Sequence, residues 1–344
     1  MSAKGKTGVL LVNLGTPDAP QRGAVYRYLR QFLLDPRVID YPWLPRQLLV
    51  QGIIAPFRSG SSARLYRQLW TPEGSPLKVY GKRLAEGVQS RLGGDYAVEL
   101  AMRYQQPSIS SAINRLLNRQ VSEIVVLSLF PQYASASTGS VFEEVMRVLK
   151  KEEVIPPLRF VSDYYDFEPM IEVFASNAAA FDLASYDHLI FSYHGLPQRQ
   201  LRKADRCNHC LQSPDCCQTI GAANQFCYSA QCHATTQAIA QKLNLPKEKF
   251  TTTFQSRLGP EKWAQPYTSQ VVETLAAQGA KRLLVFSPAF VADCLETLIE
   301  IKVEYLEMFE KLGGEHLDLV PSLNDDPRWI NAVADMVRAN AHAR

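Results

Sequence analysis

The fold class of this chain is decided by the stretch Arg282-Leu-Leu-Val-Phe-Ser-Pro-Ala-Phe-Val-Ala-Asp-Cys-Leu-Glu-Thr-Leu-Ile-Glu-Ile-Lys-Val-Glu304. Residues 283–286 form an apolar run typical of a strand buried on both faces, Pro288 ends it, and a helical pattern follows. Strands of this kind that alternate with helices predict an α/β protein with parallel sheets. The other predicted strands are residues 8–14, 97–102, 123–130, 158–161, 189–193, 250–254 and 317–320.

The two halves of the chain resemble each other. Val12-Asn-Leu-Gly-Thr-Pro17 and Phe191-Ser-Tyr-His-Gly-Leu-Pro197 both show an apolar strand, then glycine, then proline. We therefore predict two similar Rossmann-like domains, each with a four-stranded parallel sheet, that face each other across a cleft. The predicted bounds are 1–162 for the first domain, 163–320 for the second, and 321–344 for a last segment whose helix packs back on the first domain.

Each half has an excursion after its first strand. In the first half, residues 36–75 include a segment rich in apolar side chains, which suits a lid, a lip for an apolar ligand or a membrane-surface contact. An ordinary helix packed on its own domain explains the same pattern equally well. In the second half the excursion is a cysteine-rich segment at residues 203–232.

The composition is that of a folded, soluble protein. Of its 344 residues 46% are hydrophobic and 21% charged, and the formal net charge is only +3, so no nucleic-acid partner is expected. Residues 1–7 show no apolar signal region or Arg-rich transit segment, and no window is apolar enough to span a bilayer. We expect a cytoplasmic protein, and contact with the inner face of the membrane remains open.

Acidic residues recur at steps of three and four in the opening stretch, at Asp293, Glu296, Glu300 and Glu304. A stripe of charge on a helix is often only a solvated face. Ligands in open parallel sheets, however, bind beyond the carboxyl ends of strands, where this row begins. A row of carboxylates in that place can bind a cation or pass protons.

His194 ends a predicted strand and precedes Gly195. A neutral imidazole at a strand end can ligate a metal or accept a proton near neutral pH, although a structural histidine is an equally ordinary explanation. His194 and the acidic row belong to the same half, so we expect them to share one wall of the cleft. One nitrogen and several oxygens suit a divalent first-row metal such as iron, and also zinc.

The first half supplies polar and aromatic groups after its strands. Such a set can hold a flat molecule and pair its carboxylates with arginine, and Ser137-Thr-Gly139 is also a plausible helix cap. The candidates are Asn13, Arg58, Tyr66, Arg103, Tyr104, Tyr133, Ser137 and Thr138. No phosphate-binding glycine loop and no G-x-S-x-G elbow is present, which argues against a nucleotide enzyme and an α/β-hydrolase.

Six of the seven cysteines fall between residues 207 and 232. In a reducing compartment such a group favours a metal over disulfides.

Seven motifs resemble those of the ferrochelatases, in order and across nearly the whole chain. They are Leu11-Val-Asn-Leu-Gly-Thr-Pro17, Gly74-Ser-Pro76, Phe130-Pro-Gln-Tyr133, Ser137-Thr-Gly139, Ser192-Tyr-His-Gly195, Phe254-Gln-Ser-Arg257 and Asp293-Cys-Leu-Glu-Thr-Leu298. The resemblance implies the chelatase fold around a porphyrin cleft. It also implies a metal chelatase that inserts ferrous iron into protoporphyrin IX to give protohaem, the last step of haem synthesis.

The resemblance also implies roles for individual residues. His194 and Glu296 take the iron-site positions of the family, and Asp293 and Glu300 extend its acidic path. His194 would accept the pyrrole protons, while Arg58, Tyr66 and Tyr133 would contact the porphyrin.

A class of bacterial ferrochelatases with an internal cysteine segment looks similar to this chain. That likeness implies a [2Fe-2S] cluster, which needs four thiolates. The expected ligands are Cys207, Cys210, Cys217 and Cys227, with Cys216 as the rival for the third position. Zinc remains the alternative, because C-x-x-C also binds zinc.

Other functions are compatible with the sequence. A chelatase that loads coproporphyrin III with iron, or one that uses cobalt, is the enzymatic alternative to iron insertion into protoporphyrin IX. A non-enzymatic two-domain ligand-binding protein would share the cleft, and a redox protein would explain the cysteines alone. Monomer and homodimer are both compatible with the sequence.

Overall fold

Two four-stranded sheets, both entirely parallel, form the framework of the computed structural model. The structure describes residues 5–341, so the first four residues of the amino-terminal segment and the last three of the carboxyl-terminal one lie outside the described residues. The prediction of an α/β fold with two four-stranded parallel sheets is confirmed.

The first sheet has the strand order β2-β1-β3-β4. Residues Val9 to Val12 of the central strand are completely buried, as expected for a parallel strand with helices on both faces. Leu10 lies opposite Glu99 on one neighbouring strand and Val126 on the other. The strands are β1 (Thr7–Gly15), β2 (Tyr96–Tyr104), β3 (Glu123–Ser128) and β4 (Leu158–Val161).

The second sheet repeats this order as β6-β5-β7-β8. Leu283 to Phe286 are completely buried, so the stretch that predicted the fold does form a core strand. Ile301 and Phe309 of the following helical segment pack on Leu283 and Val285. The strands are β5 (His188–His194), β6 (Phe250–Gln255), β7 (Arg282–Phe286) and β8 (His316–Leu319).

The chain divides into two compact units. The first extends to Phe130, includes Ala134–Ser162 and takes up the chain again from Asn324, and the second comprises Pro131–Tyr133 and Asp163–Leu323. The helices of the first unit are α1 (Arg22–Leu33), α2 (Trp43–Gln47), α3 (Ala55–Leu69), α4 (Pro76–Leu92), α5 (Ile109–Asn118), α6 (Ser140–Leu149) and α12 (Pro327–Asn340). Those of the second are α7 (Glu168–Ala178), α8 (Gln198–Ala204), α9 (Tyr228–Lys242), α10 (Thr268–Ala277) and α11 (Leu306–Lys311).

Among residues 5–341, three segments have the wider turn of a π-helix, a rare conformation that often occurs at functional sites. They are Leu48–Ile54, Ser135–Gly139 and Glu296–Tyr305. The third contains most of the acidic row, so the expected regular helix is wrong in two respects. Its turns are wider than those of an α-helix, and Asp293 precedes it.

The apolar segment of the first unit is helical throughout, from α2 through the π-helical turn into α3. Several large apolar side chains there face solvent, Trp43 with 66% and Phe57 with 79% of its surface exposed. Val50 of the same segment is completely buried and fixes it to its unit. The helix α12 packs on α4, where Ile330 lies against Gly87.

Within residues 5–341, no helix combines the length and the apolar character that crossing a membrane requires.

Candidate active site

The imidazole of His194 is fixed by its own backbone. His194 is the last residue of β5, and its Nδ1 lies 2.7 Å from the carbonyl oxygen of Gly195. A carbonyl oxygen can only accept, so Nδ1 carries the proton and donates it. The lone pair of the ring is therefore on Nε2, where it can accept a proton or bind a metal.

Gly195 allows strand β6 to come close to His194. Its N–H donates to the carbonyl oxygen of Gln255 at 2.9 Å, and a Cβ at this position would lie 2.9 Å from the same oxygen. Any larger residue would push the two strand ends apart. The glycine after the histidine is thus required by packing.

Gln255 connects the end of β5 to the acidic segment. Its side-chain oxygen accepts from the Ser192 hydroxyl at 2.6 Å, and its Nε2 donates to the Glu296 carbonyl oxygen at 3.2 Å and to Glu300 Oε2 at 3.0 Å. The side chain is buried, so these bonds are not exchanged for water. Gln255 thus fixes where the π-helical segment begins relative to the strand that carries His194.

The Glu300 carboxylate accepts hydrogen bonds at both oxygens. Oε1 accepts from the Ser256 N–H at 2.8 Å and from the Tyr305 hydroxyl at 3.1 Å, and Oε2 accepts from Gln255 and from the Ser256 hydroxyl. Burial and this carboxylate raise the pKa of Tyr305 well above its ordinary range. With four donors on two oxygens, Glu300 is held as an anchor.

The other acidic residues differ in their surroundings. Asp293 is buried, and its Oδ1 accepts from the Thr297 hydroxyl at 3.2 Å. Glu296 is half-buried and lies beside the buried Cys294 thiol, whose pKa is raised by burial and then by this carboxylate. Glu304 is largely exposed. Partial burial of its carboxylate, and then repulsion from Glu300 and Glu307, raise its pKa.

In the first unit, Arg103 and Tyr104 belong to one buried network around Asp35. Asp35 Oδ2 accepts from Arg103 Nη2 at 2.7 Å, from the Tyr104 hydroxyl at 2.8 Å and from the Ser140 hydroxyl. Arg103 also donates to the carbonyl oxygen of Ser140. Burial, and then the Asp35 carboxylate, raise the pKa of Tyr104 well above its ordinary range. Both predicted contact residues are therefore engaged inside their own unit.

The remaining predicted contact residues of the first unit range from exposed to completely buried. Arg58 is exposed on α3, Asn13 is buried and accepts from the Leu14 N–H, and Ser137 is half-buried. Tyr66 is buried edge-on against Tyr28. Thr138 is completely buried, and its hydroxyl has no hydrogen-bond partner among residues 5–341.

Tyr133 lies in the second unit. Its N–H donates to the side-chain oxygen of Gln231 on α9 at 2.7 Å, and its ring is half-buried. The preceding residue, Gln132, donates to the Thr235 hydroxyl of the same helix at 3.0 Å. Helix α9 thus fixes the backbone of the Phe-Pro-Gln-Tyr motif.

The cysteine-rich segment is ordered by two polar side chains. Asp205 accepts from the backbone N–H groups of Cys207, His209 and Cys210, which lowers its pKa. Asn224 is buried and donates to the carbonyl oxygens of Cys216 and Thr219.

Four thiols of this segment lie near one another. The sulfurs of Cys216 and Cys217 are 3.5 Å apart, and Cys217 is hydrogen-bonded to Cys227, which lowers the pKa of Cys227 and raises that of Cys217. Burial, and then the nearby Cys227 and Cys216, raise the pKa of Cys210 to about 11. Cys207, by contrast, is exposed.

These sulfurs suit a soft metal, and backbone N–H groups point at two of them. Leu211 N lies 3.4 Å from the Cys216 sulfur, and the Ser229 and Ala230 N–H groups bond Cys227. In the part of the chain that the structure describes, however, no three His, Cys, Asp or Glu side chains are arranged to hold a metal ion.

The sequence patterns give no role to Asp35 in the first unit, nor to Gln255 and Tyr228 in the second. Gln255 lies inside the Phe-Gln-Ser-Arg motif, so its motif was noticed without a role. Asp35 lies two residues after the end of α1, and its role depends on Arg103, which is distant in sequence. The Tyr228 hydroxyl donates to the His194 carbonyl oxygen at 2.8 Å, a contact across 34 positions that no local pattern predicts.

The comparisons with known proteins agree with one another. A sequence model of the ferrochelatase family matches residues 6–341. A ferrochelatase of Coxiella burnetii (strain Dugway 5J108-111) is 45% identical over 97% of this chain and 93% of its own length. A ferrochelatase of Legionella pneumophila (strain Lens) is 43% identical over 96% of this chain and 98% of its own length.

Solved structures show the same fold at low identity. SirB from Bacillus subtilis with Fe3+ has a TM-score of 0.53 and 12% identity, and covers 98% of this chain and 96% of its own. The sirohydrochlorin chelatase SirB from Bacillus subtilis subspecies spizizenii, in complex with cobalt, has a TM-score of 0.53, 10% identity and coverage of 98% and 95%. At such identities the likeness concerns the fold alone.

Proposed function

Because this chain belongs to the ferrochelatase family, we propose that it inserts Fe2+ into protoporphyrin IX to give protohaem, with His194 and Glu296 at the reacting centre. The chain is a metal chelatase, and its substrates are ferrous iron and a porphyrin. The reaction makes four iron–nitrogen bonds and releases the two pyrrole N–H protons, with no change in oxidation state.

The observation that carries this proposal is the orientation of His194. Donation by Nδ1 to the Gly195 carbonyl leaves the Nε2 lone pair for a pyrrole proton. The Tyr228 hydroxyl and the Gly195 N–H hold the backbone on both sides of the ring, so the base is fixed before substrate binds.

Glu296 is the proposed iron ligand, because a half-buried carboxylate at the start of the π-helical segment can still take a cation. Asp293 and Glu300 extend the acidic path. Glu300 can pass a proton only by giving up one of its four hydrogen bonds, so we assign it chiefly to holding Gln255 and Ser256.

For the porphyrin we propose Arg58, Asn13, Tyr133, Ser137 and Thr138 as contacts, since these side chains are exposed, near strand ends or, for Thr138, without a partner. The contacts of Tyr66, Arg103 and Tyr104 lie within the first unit, so we propose that they support the neighbouring contact residues and do not touch the porphyrin.

The direct test is anaerobic incubation of the purified protein with protoporphyrin IX and Fe2+, followed by the absorption spectrum of haem. We expect protohaem to form, and to form faster than iron coproporphyrin III or cobalt protoporphyrin in parallel reactions. Absence of any metalloporphyrin would overturn the proposal, and faster turnover of coproporphyrin would replace its substrate.

We further propose that the cysteine-rich segment binds a [2Fe-2S] cluster, with zinc as the alternative. Cys210, Cys217 and Cys227 are three of the proposed ligands. The sequence predicted Cys207 as a ligand as well, with Cys216 as the rival of Cys217. Because Cys207 is exposed and the Cys216 and Cys217 sulfurs are 3.5 Å apart, we propose Cys216 as the fourth ligand instead of Cys207. When bound, such a cluster supplies redox and Lewis-acid chemistry that porphyrin metallation does not need.

Single serine variants test this ligand set. Protein purified without oxygen should show the visible absorption of a [2Fe-2S] centre, and Cys216→Ser should lose it because one of four thiolates is removed. Cys207→Ser is the matched control and should keep the colour. Retained absorption in Cys216→Ser with loss in Cys207→Ser would restore the first assignment, and colourless protein with stoichiometric zinc would exclude the cluster.

The exposed apolar side chains of α2 and α3 are proposed as a lip for the porphyrin edge, and also as a contact with the membrane surface. Co-sedimentation with anionic lipid vesicles separates the two uses. Replacing Trp43 and Phe57 by serine should raise the KM for porphyrin in either case, and should release the protein from vesicles only if the membrane contact exists.

A further inference from the structure

The first turn of α9 forms the end of the cysteine-rich segment and joins the loop of that segment, residues 205–227, to the residues of the candidate active site. Cys227 is the residue before this helix. Its thiol is hydrogen-bonded to that of Cys217 and lies near Cys210. Tyr228 and Gln231, one and four positions later, then contact two motifs in which the site residues lie. The segment and the site therefore meet in a single helical turn.

Tyr228 makes the first of these contacts. Its ring is buried and its hydroxyl donates to the His194 carbonyl oxygen at 2.8 Å. The next peptide unit carries the Gly195 carbonyl oxygen, which accepts from His194 Nδ1. Moving Tyr228 would therefore tilt the peptide units that orient the imidazole, without any contact between Tyr228 and the ring.

Gln231 makes the second contact. Its side-chain oxygen accepts from the Tyr133 N–H at 2.7 Å, while its Nε2 donates to the Gln225 carbonyl oxygen at 2.9 Å. Gln225 belongs to the cysteine-rich segment, two residues before Cys227. One completely buried amide thus bonds the segment and the Phe-Pro-Gln-Tyr motif at once.

We propose that Tyr228 is a positioning residue for His194, and that it transmits the order of the cysteine-rich segment to the catalytic base. The inference rests on the proposed iron insertion, since it assigns the base of that reaction to His194. It gives the segment a role in the reaction that requires no electron transfer.

Tyr228→Phe removes the hydroxyl and keeps the ring. We expect kcat for haem formation to fall about tenfold, because small displacements of a catalytic group cost factors of ten to a hundred, while the KM for porphyrin changes less than twofold. Tyr193→Phe is the matched control. It also removes a buried hydroxyl between β5 and α9, bonded to Thr236 at 3.0 Å, and should leave kcat within twofold of the parent.

A double-mutant cycle tests the transmission. Asn224→Ala removes the bonds to Cys216 and Thr219 and loosens the segment. It should lower kcat in the parent and change it little in Tyr228→Phe, so the combined loss is smaller than the product of the two. Asp205→Ala, at the other end of the segment, should give the same pattern and serves where Asn224→Ala fails to fold.

A second measurement does not depend on activity. Hydrogen exchange of the peptide that contains His194 and Gly195 should become faster in Asn224→Ala, and the same change should vanish when Tyr228 is already phenylalanine. Multiplicative losses of kcat and equal exchange in all variants would overturn the proposal. An inactive parent protein would overturn the proposed function instead, and the exchange experiment would still decide the coupling.

Discussion

Replacing His194 by alanine is expected to lower kcat for haem formation by about a thousandfold, the middle of the range that a positioned general base contributes. The loss follows from the hydrogen bond of Nδ1 to the Gly195 carbonyl, which leaves Nε2 as the available acceptor of the pyrrole proton. Water would have to take the proton in the variant, without a fixed orientation. The measurement is the anaerobic haem assay at saturating iron and porphyrin.

The control lies at the other end of the same strand. His188 begins β5, is half-buried and shares a hydrogen bond with the Thr251 hydroxyl at 2.8 Å, and burial lowers its pKa. His188→Ala should keep kcat within about threefold, the effect of a modest structural change. Porphyrin binding, measured by fluorescence, should stay normal in both variants. Near-normal turnover by His194→Ala would remove this residue from the reaction.

The strands were predictable because parallel strands buried on both faces are written as continuous apolar runs. The strands at residues 283–286 and 9–12 could be predicted from their own apolar residues alone, and both runs are completely buried. His194 was predictable for a related reason, since it lies three residues after the apolar run at residues 189–191 and directly before Gly195. The local pattern therefore indicated where the strands lie, but some of their ends differ by up to two residues: β3, for example, ends at Ser128 and not at residue 130.

The π-helical turn at Glu296 could not be predicted in the same way. Gln255 and Ser256 donate to the Glu296 carbonyl and the Glu300 carboxylate from 41 and 44 positions away, and no local spacing predicts these contacts. Residue spacing shows that the acidic row lies on one side of the helical segment. It does not show that the Glu300 carboxylate already accepts four hydrogen bonds. The separate roles of Asp293, Glu296 and Glu300 follow from these distant partners.

Asp35 is the strongest case of a distant partner, and it leads to the second large effect. Asp35→Asn is expected to lower the free energy of unfolding by about 3 kcal/mol, the usual cost of leaving a buried charge without its partner. The side chain of Asp35 is 3% exposed and that of Arg103 is 15% exposed, so water cannot replace the lost carboxylate. Urea denaturation followed by circular dichroism measures the change.

Glu99→Gln provides the comparison within the same unit. Glu99 pairs with Arg115 and Arg119, whose side chains are 43% and 50% exposed, so both guanidinium groups return to water when the carboxylate is lost. The Glu99 side chain is only 10% exposed, but because both of its cations stay solvated this variant should cost about 1 kcal/mol, at the upper end of the range for exposed pairs. An equal decrease in the free energy of unfolding in the two variants would mean that the Asp35 network stabilises the fold no more than an ion pair with solvated cations.

A combined replacement shows whether the charge itself is needed. If the cost of Asp35→Asn comes from the isolated Arg103 cation, then Arg103→Met should recover much of the lost stability, because apolar groups of similar volume replace buried ion pairs at little cost. Tyr104 and Ser140 would still bond the asparagine oxygen. If the double variant regains stability but forms haem slowly, then Arg103 is needed for the reaction and not for the fold.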